Sequence, residues 1–144
     1  MISVDTNVLL RYLVEPVDVR NPSWQVIAAR NIIHNSDAVF ISDIVLAEIE
    51  WVLESAFEFT SNEIYGVIQA LANNSRFTFE DWSAVQCALL DYRESTTVDL
   101  SDRIIARRSI NKGAKTLYTL EKKSNLGGLS CATTLKKPTK EMLA

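Results

Sequence analysis

The chain has one histidine, His34, and that scarcity restricts it most. Chemistry built on an imidazole base or a histidine-rich metal site has almost nothing to draw on. His34 reads as an ordinary polar residue at a helix end. Cysteine is nearly absent too. Cys87 and Cys131 lie far apart with no metal-ligand partner nearby, so neither a disulfide framework nor a thiolate zinc site is expected. They read as reduced, buried, small core residues of a cytoplasmic protein. Only four glycines occur, which suits a helix-rich domain with short connections. No apolar run is long enough to span a membrane. The first residues lack the basic flank and small-residue cleavage site of a secretory signal. Repeats and low-complexity segments are missing as well.

What is present is an apolar, unevenly charged chain. With 144 residues, 47% of them hydrophobic, one domain with a substantial core is expected. Residues 1–135 read as that domain and 136–144 as a basic tail. The net charge of −3 excludes a strongly basic nucleic-acid binder but conceals a division. Residues 1–102 carry five Lys and Arg against 16 Asp and Glu, a balance of −11. Residues 103–144 carry ten against two, a balance of +8. An acidic body beside a basic final third can hold cations at one place and phosphates next to it. The plain alternative is a surface whose charges mix on folding.

Hydrophobic periodicity and capping residues divide the chain into alternating elements. Ile2 and Val4 form a short strand that runs into an apolar helix. Asn21 and Pro22 open a second helix, "NPSWQVIAARNIIHN". "AVFI" is a strand, and Ser42 caps "DIVLAEIEWVLESAF". "TSNE" is a capping box with Thr60 and Glu63 as reciprocal partners. "FTF" is a strand, "DWSAVQCALLDYRES" a helix, "DRIIARRSINKG" a helix closed by Gly113, and "TLYT" a strand. This order predicts a single three-layer α/β/α sandwich around a short parallel sheet.

In such sheets, sites form beyond the carboxyl ends of the strands. Asp5 follows the first strand and Glu121 follows "TLYT". Asp99 and Asp102 stand at a helix start that opens on the same rim. Within the third helix, Asp43, Ala47, Glu50 and Glu54 share a face that reads as wet. Glu48 shares another with Val45 and Val52, which puts a carboxylate on the apolar side. Burial of an unpaired carboxylate costs several kcal/mol, so Glu48 is expected to be protonated, hydrogen-bonded or near a cation. Taken singly, each acid has a simpler reading. Asp5, Asp99 and Asp102 suit helix caps, Glu48 the edge of a stripe, and Glu121 a surface position beside Lys122 and Lys123. Taken together, converging carboxylates repel one another unless a cation intervenes. With oxygen donors only, Mg²⁺ or Mn²⁺ is the expected ion. Phosphodiester hydrolysis suits such an ion. Asn7 and Thr119 are placed to orient carboxylates and water, or simply to close a turn.

The stretches "VDTNVLLRYLVE", "VFISDIVLAEIEWVL" and "VDLSDRIIARRSINKGAKTLYTLEKK", with the "GG" after them, resemble the PIN-domain ribonucleases, in particular the VapC-type toxins of toxin–antitoxin systems. The resemblance implies a metal-dependent endoribonuclease. It aligns Asp5, Glu48 and Asp102 with the family's first three acids and Asp99 with an extra acid of one subgroup, here in "DLSD" with Leu100 where that subgroup has an aromatic. Glu121 stands where the family has aspartate, one methylene further out. Asp5 and Asp102 are thereby implied to hold Mg²⁺ directly and Glu48 to ligate it or position the water, with Glu121 helping a second, weaker ion about 3.5–4 Å away. Arg103, Arg107, Lys122 and Lys123 are expected to guide RNA phosphates, although for each a solvated role is the simpler reading. Arg107 and Arg108 are adjacent and so cannot share a helix face.

The resemblance also implies a homodimer inhibited by an antitoxin. Trp51 and Phe57 are candidates for either contact, or for ordinary packing. Two rivals stand beside the nuclease. One is a phosphatase with Asp5 as nucleophile, although Asn7 occupies the place where a second acid is wanted. The other is a catalytically weakened RNA- or protein-binding module of the same fold, with Glu121 as its mark.

Overall fold

The computed structural model describes residues 1–14, 20, 23–95, 97–122 and 126–143. The α/β/α expectation holds: a short parallel sheet is accompanied by six α-helices among the described residues. Strand β1 (Ile2–Ser3) is followed by α1 (Thr6–Leu13) and α2 (Trp24–His34). Strand β2 (Val39–Ile41) is followed by α3 (Asp43–Ser55) and α4 (Ser61–Ala72). Strand β3 (Phe77–Phe79) leads to α5 (Trp82–Glu94) and α6 (Leu100–Asn111). Then come β4 (Leu117–Thr119), a 3₁₀ turn (Leu126–Gly128) and β5 (Ala132–Thr134).

Strand β2 is central, pairing in parallel with β1 through Ile2 and Val39 and with β3 through Val39 and Phe77. Val39 and Ile41 are fully buried, as are Leu9, Ile33, Ile49, Ile68 and Val85 from the covering helices. Truncating any one of these to alanine removes transfer energy and leaves a cavity, at about 1–5 kcal/mol. Strand β4 was expected in the same sheet. It pairs instead with β5, a strand the sequence reading did not anticipate, in a separate two-stranded parallel sheet.

Local chemistry explains the helix starts. Asp5, Ser23, Ser42 and Asp81 accept hydrogen bonds from the N–H groups of Val8, Val26, Val45 and Ala84. Both halves of the Thr60–Glu63 capping box form. The cap of α2 is Ser23; the expected Asn21 and Pro22 lie outside the described residues. Helix α6 ends at Lys112, and Gly113 follows with φ +92°, a backbone state that side chains rarely adopt. One core assignment needs correction. Cys87 and Cys131 are free thiols, but both are half-buried rather than core residues. No helix among the described residues is long and apolar enough to cross a membrane.

Candidate active site

Helix α3 packs against both α1 and α6 and carries an acid to each. Glu48 and Glu50 are two residues apart, so they leave the helix about 200° apart. Glu48 meets α1, where its Oε2 accepts a hydrogen bond of 2.8 Å from the buried Thr6 hydroxyl. Glu50 meets the start of α6. Its Oε2 accepts from the Leu100 N–H at 2.7 Å and its Oε1 from the Ser101 N–H at 2.9 Å.

This reverses the expected faces of α3. Glu50, assigned to the wet face, is only 4% exposed, whereas Glu48, assigned to the apolar side, is exposed. The buried stripe is Val45, Leu46, Ile49, Glu50 and Leu53. Leu46, Glu50 and Leu53 stand at spacings of four and three, so the sequence did contain a signal for Glu50. Burial pushes the Glu50 carboxyl upwards, and the hydrogen bonds from Ser101 and Leu100 work against that rise.

The consequence for α6 is specific. Asp99 occupies the N-cap position but makes no capping hydrogen bond with its side chain, because Glu50 reaches across from α3 to those N–H groups. Asp99 is therefore exposed and released from the capping role that was its simplest reading. Asp102, one turn in, is half-buried. Burial, then the charges of Glu121, Asp99 and Glu50, push its pKa up to about 6. Four carboxylates from α3, α6 and the end of β4 thus act on one another. Asp5 and Glu48 form a second group at the start of α1. Asp5 does cap that helix, with Oδ1 accepting from Val8 N–H at 3.0 Å, and Thr6 beside it holds Glu48.

The end of β4 is built around its backbone. The Thr119 hydroxyl accepts from the Glu121 N–H at 3.0 Å, and the Glu121 carbonyl accepts from the Thr134 hydroxyl at 2.7 Å. Glu121 Oε2 accepts from Leu126 N–H at 3.3 Å. Gly127 makes this possible: a Cβ there would fall on the Thr134 hydroxyl and 2.6 Å from the Glu121 carbonyl oxygen. Asn7 is exposed, and its carbonyl accepts from Arg11.

The basic residues are more committed than free. Arg103 is 8% exposed, and its Nη2 donates to the Ser95 carbonyl. Arg107 forks onto Asp91 Oδ2 at 3.1 and 2.8 Å. Arg108, on another face, meets Asp43, Glu80 and Asp81. Lys122 is exposed; Lys123 lies outside the described residues. Trp51 is 68% exposed and Phe57 is also exposed, so neither is packed in the core.

Oxygen donors alone suit a hard divalent cation, and so does the like-charge crowding on Asp102. Among the described residues no three acids stand close enough to enclose an ion by themselves. Magnesium commonly takes one or two carboxylates and keeps several waters, so the donor set fits without a third. A family model described as PIN domain matches residues 2–124. Neither the curated proteins nor the solved structures compared with the chain give a match.

Proposed function

Because the chain belongs to the PIN-domain family, whose members are generally nucleases, we propose that it is a divalent-metal-dependent endoribonuclease and the toxin of a toxin–antitoxin pair. The observation that carries this reading is geometric: Glu50 caps α6 from outside and leaves Asp99 and Asp102 uncommitted at the helix start, where burial and the neighbouring acids also push the Asp102 carboxyl upwards. Carboxylates crowded together without partners are relieved by a divalent cation.

Of Asp5, Glu48 and Asp102, one or two would bind Mg²⁺ or Mn²⁺ directly and the remainder through the waters that the ion keeps. Such an ion, when bound, activates water and offsets charge growing on a phosphate. Thr6 orients Glu48, and Glu50 orients the first turn of α6 with Asp99 and Asp102 on it. Glu121 adds negative charge from the end of β4, with Thr119 setting the turn that presents it. Asn7 stands beside Asp5 for contact with water or substrate. Lys122 and Lys123 lie next to Glu121 in sequence and suit incoming phosphates. Arg103 and Arg107 act through the shape of α6 and its packing on α5. Residues 136–144 are a basic tail outside the catalytic unit. The exposed Trp51 and Phe57 support contact with a second copy or an antitoxin, and a cytoplasmic setting is consistent with two free thiols.

The test is cleavage of structured RNAs by purified protein with Mg²⁺ or Mn²⁺. Cleavage that depends on the metal and is lost in Asp5→Asn and Asp102→Asn supports the reading. Undiminished cleavage by either variant sinks it. Growth arrest on expression, relieved by a small neighbouring protein, tests the toxin role. One observation favours a weakened module instead: Glu121 replaces the aspartate and spends an oxygen on Leu126. A higher rate in Glu121→Asp would assign the native residue as a handicap.

A further inference from the structure

We infer that the groove between α1 and α2 seats one unpaired nucleotide of an RNA strand, its base on Trp24 and its phosphate at Arg11. This rests on the nuclease reading above and adds to it a place where the strand next to the cleaved bond is gripped.

The groove measures about 520 Å³, within the range of small-ligand sites. Val8, Ala29 and Ile32 give it apolar walls. Asp5 and Asn7 also line it, so it is continuous with the candidate active site. Trp24, the first residue of α2, is 75% exposed and stands at the groove with no burial to account for it. An exposed indole is a stacking platform for any base.

Arg11 supplies the second feature. Its Nε and Nη2 donate to Gln25 Oε1 at 3.1 and 2.8 Å, and its Nη1 donates to the Asn7 carbonyl at 3.1 Å. All three acceptors are neutral. No carboxylate accepts from Arg11 among the described residues, although residues 1–102 carry 16 acids against five bases. A cation held in place by neutral groups, beside acids, complements a phosphate. A base within a duplex has its faces covered by neighbours, so the occupant is single-stranded. A protein helix would use the apolar walls but has no call for a guanidinium that meets only neutral acceptors among the described residues.

The chain has three tryptophans, so the Trp51→Phe/Trp82→Phe protein leaves Trp24 as sole indole. With EDTA present, titration with a six-nucleotide single-stranded RNA should quench its fluorescence saturably, and a duplex of the same sequence should not. Arg11→Gln should weaken binding roughly tenfold and lower the salt dependence by about one released ion, while Arg11→Lys keeps most of both. In the full chain with Mg²⁺, Trp24→Ala should raise KM roughly tenfold with kcat little changed, and Trp24→Phe should restore it. Trp24 is exposed, so circular dichroism should show these variants folded. Absence of quenching, or unchanged KM in Trp24→Ala and Arg11→Gln, overturns the inference. Quenching by an amphipathic helical peptide but not by RNA assigns the groove to a protein partner and overturns it equally. The two readings separate cleanly. If Asp102→Asn abolishes cleavage while Trp24→Ala leaves KM alone, only the subsite fails. If the protein cleaves nothing yet Trp24 is quenched by RNA, only the nuclease reading fails.

Discussion

Glu50 of α3 closes the N-terminus of α6 from outside, accepting from Leu100 N–H at 2.7 Å and Ser101 N–H at 2.9 Å. The carboxylate sits where the helix dipole favours negative charge. It also ties two helices 50 residues apart and frees Asp99 from capping.

Glu50→Ala leaves those two N–H groups without an acceptor and should cost about 1–3 kcal/mol. Glu50→Gln, which keeps one acceptor, should cost less. Urea denaturation measures both. An unchanged midpoint in Glu50→Ala would show that water replaces the carboxylate freely.

In metal-free protein, the contribution of Asp102 to stability should rise as pH falls from about 6 towards 4, against the opposite contributions of Asp81 and Glu63, whose pKa values are lowered by hydrogen bonds. The sign follows from Asp102, held at about 6 when folded against an ordinary value of 3.8. Between those values the folded state binds the proton more tightly, so acid favours folding; above about 6 the full repulsion is present. Glu50 and Asp43, also raised by burial, push the same way. Asp102→Asn should therefore remove that contribution and stabilise the protein at pH 7. Denaturation at pH 7 and pH 5, in EDTA, checks this. An equal or larger gain on acidification in the variant would contradict it.

A divalent cation should raise the melting temperature of the native protein and do little for Asp102→Asn. At a hundredfold excess over Kd the gain is about 2.7 kcal/mol. Calorimetry with Mg²⁺, Mn²⁺ and a Na⁺ control at matched ionic strength distinguishes binding from screening. Equal shifts in both proteins would remove Asp102 from the metal site.

Thr6→Val keeps the side-chain shape but deletes the hydroxyl that holds Glu48 at 2.8 Å. Stability should change by about 1 kcal/mol. Cleavage should fall roughly tenfold, since a loosened carboxylate misplaces what it positions. Thr6→Ser should retain the rate. A Thr6→Val enzyme at full rate would mean that Glu48 needs no fixing.

Elements governed by neighbours in sequence are legible in the sequence itself. The Thr60–Glu63 box, the Ser42 cap and the Gly113 stop depend on groups within four residues, and all three form. The faces of α3 were not readable in the same way. Periodicity shows that Glu48 and Glu50 point apart, but not which of them meets α6. The β4–β5 pairing likewise joins residues too short a run to announce themselves.

The order of strands and helices, the oxygen-only donor set and the acidic-to-basic division were decided by the sequence itself, because each is local or compositional. Tertiary structure alone decided that Glu50 is the buried acid, that Asp99 is spared from capping, and that Arg11 meets no carboxylate among the described residues. Those outcomes turn on which helix lies beside which, and an electrostatic partner brought from 50 residues away leaves no trace in the spacing around the residue it meets.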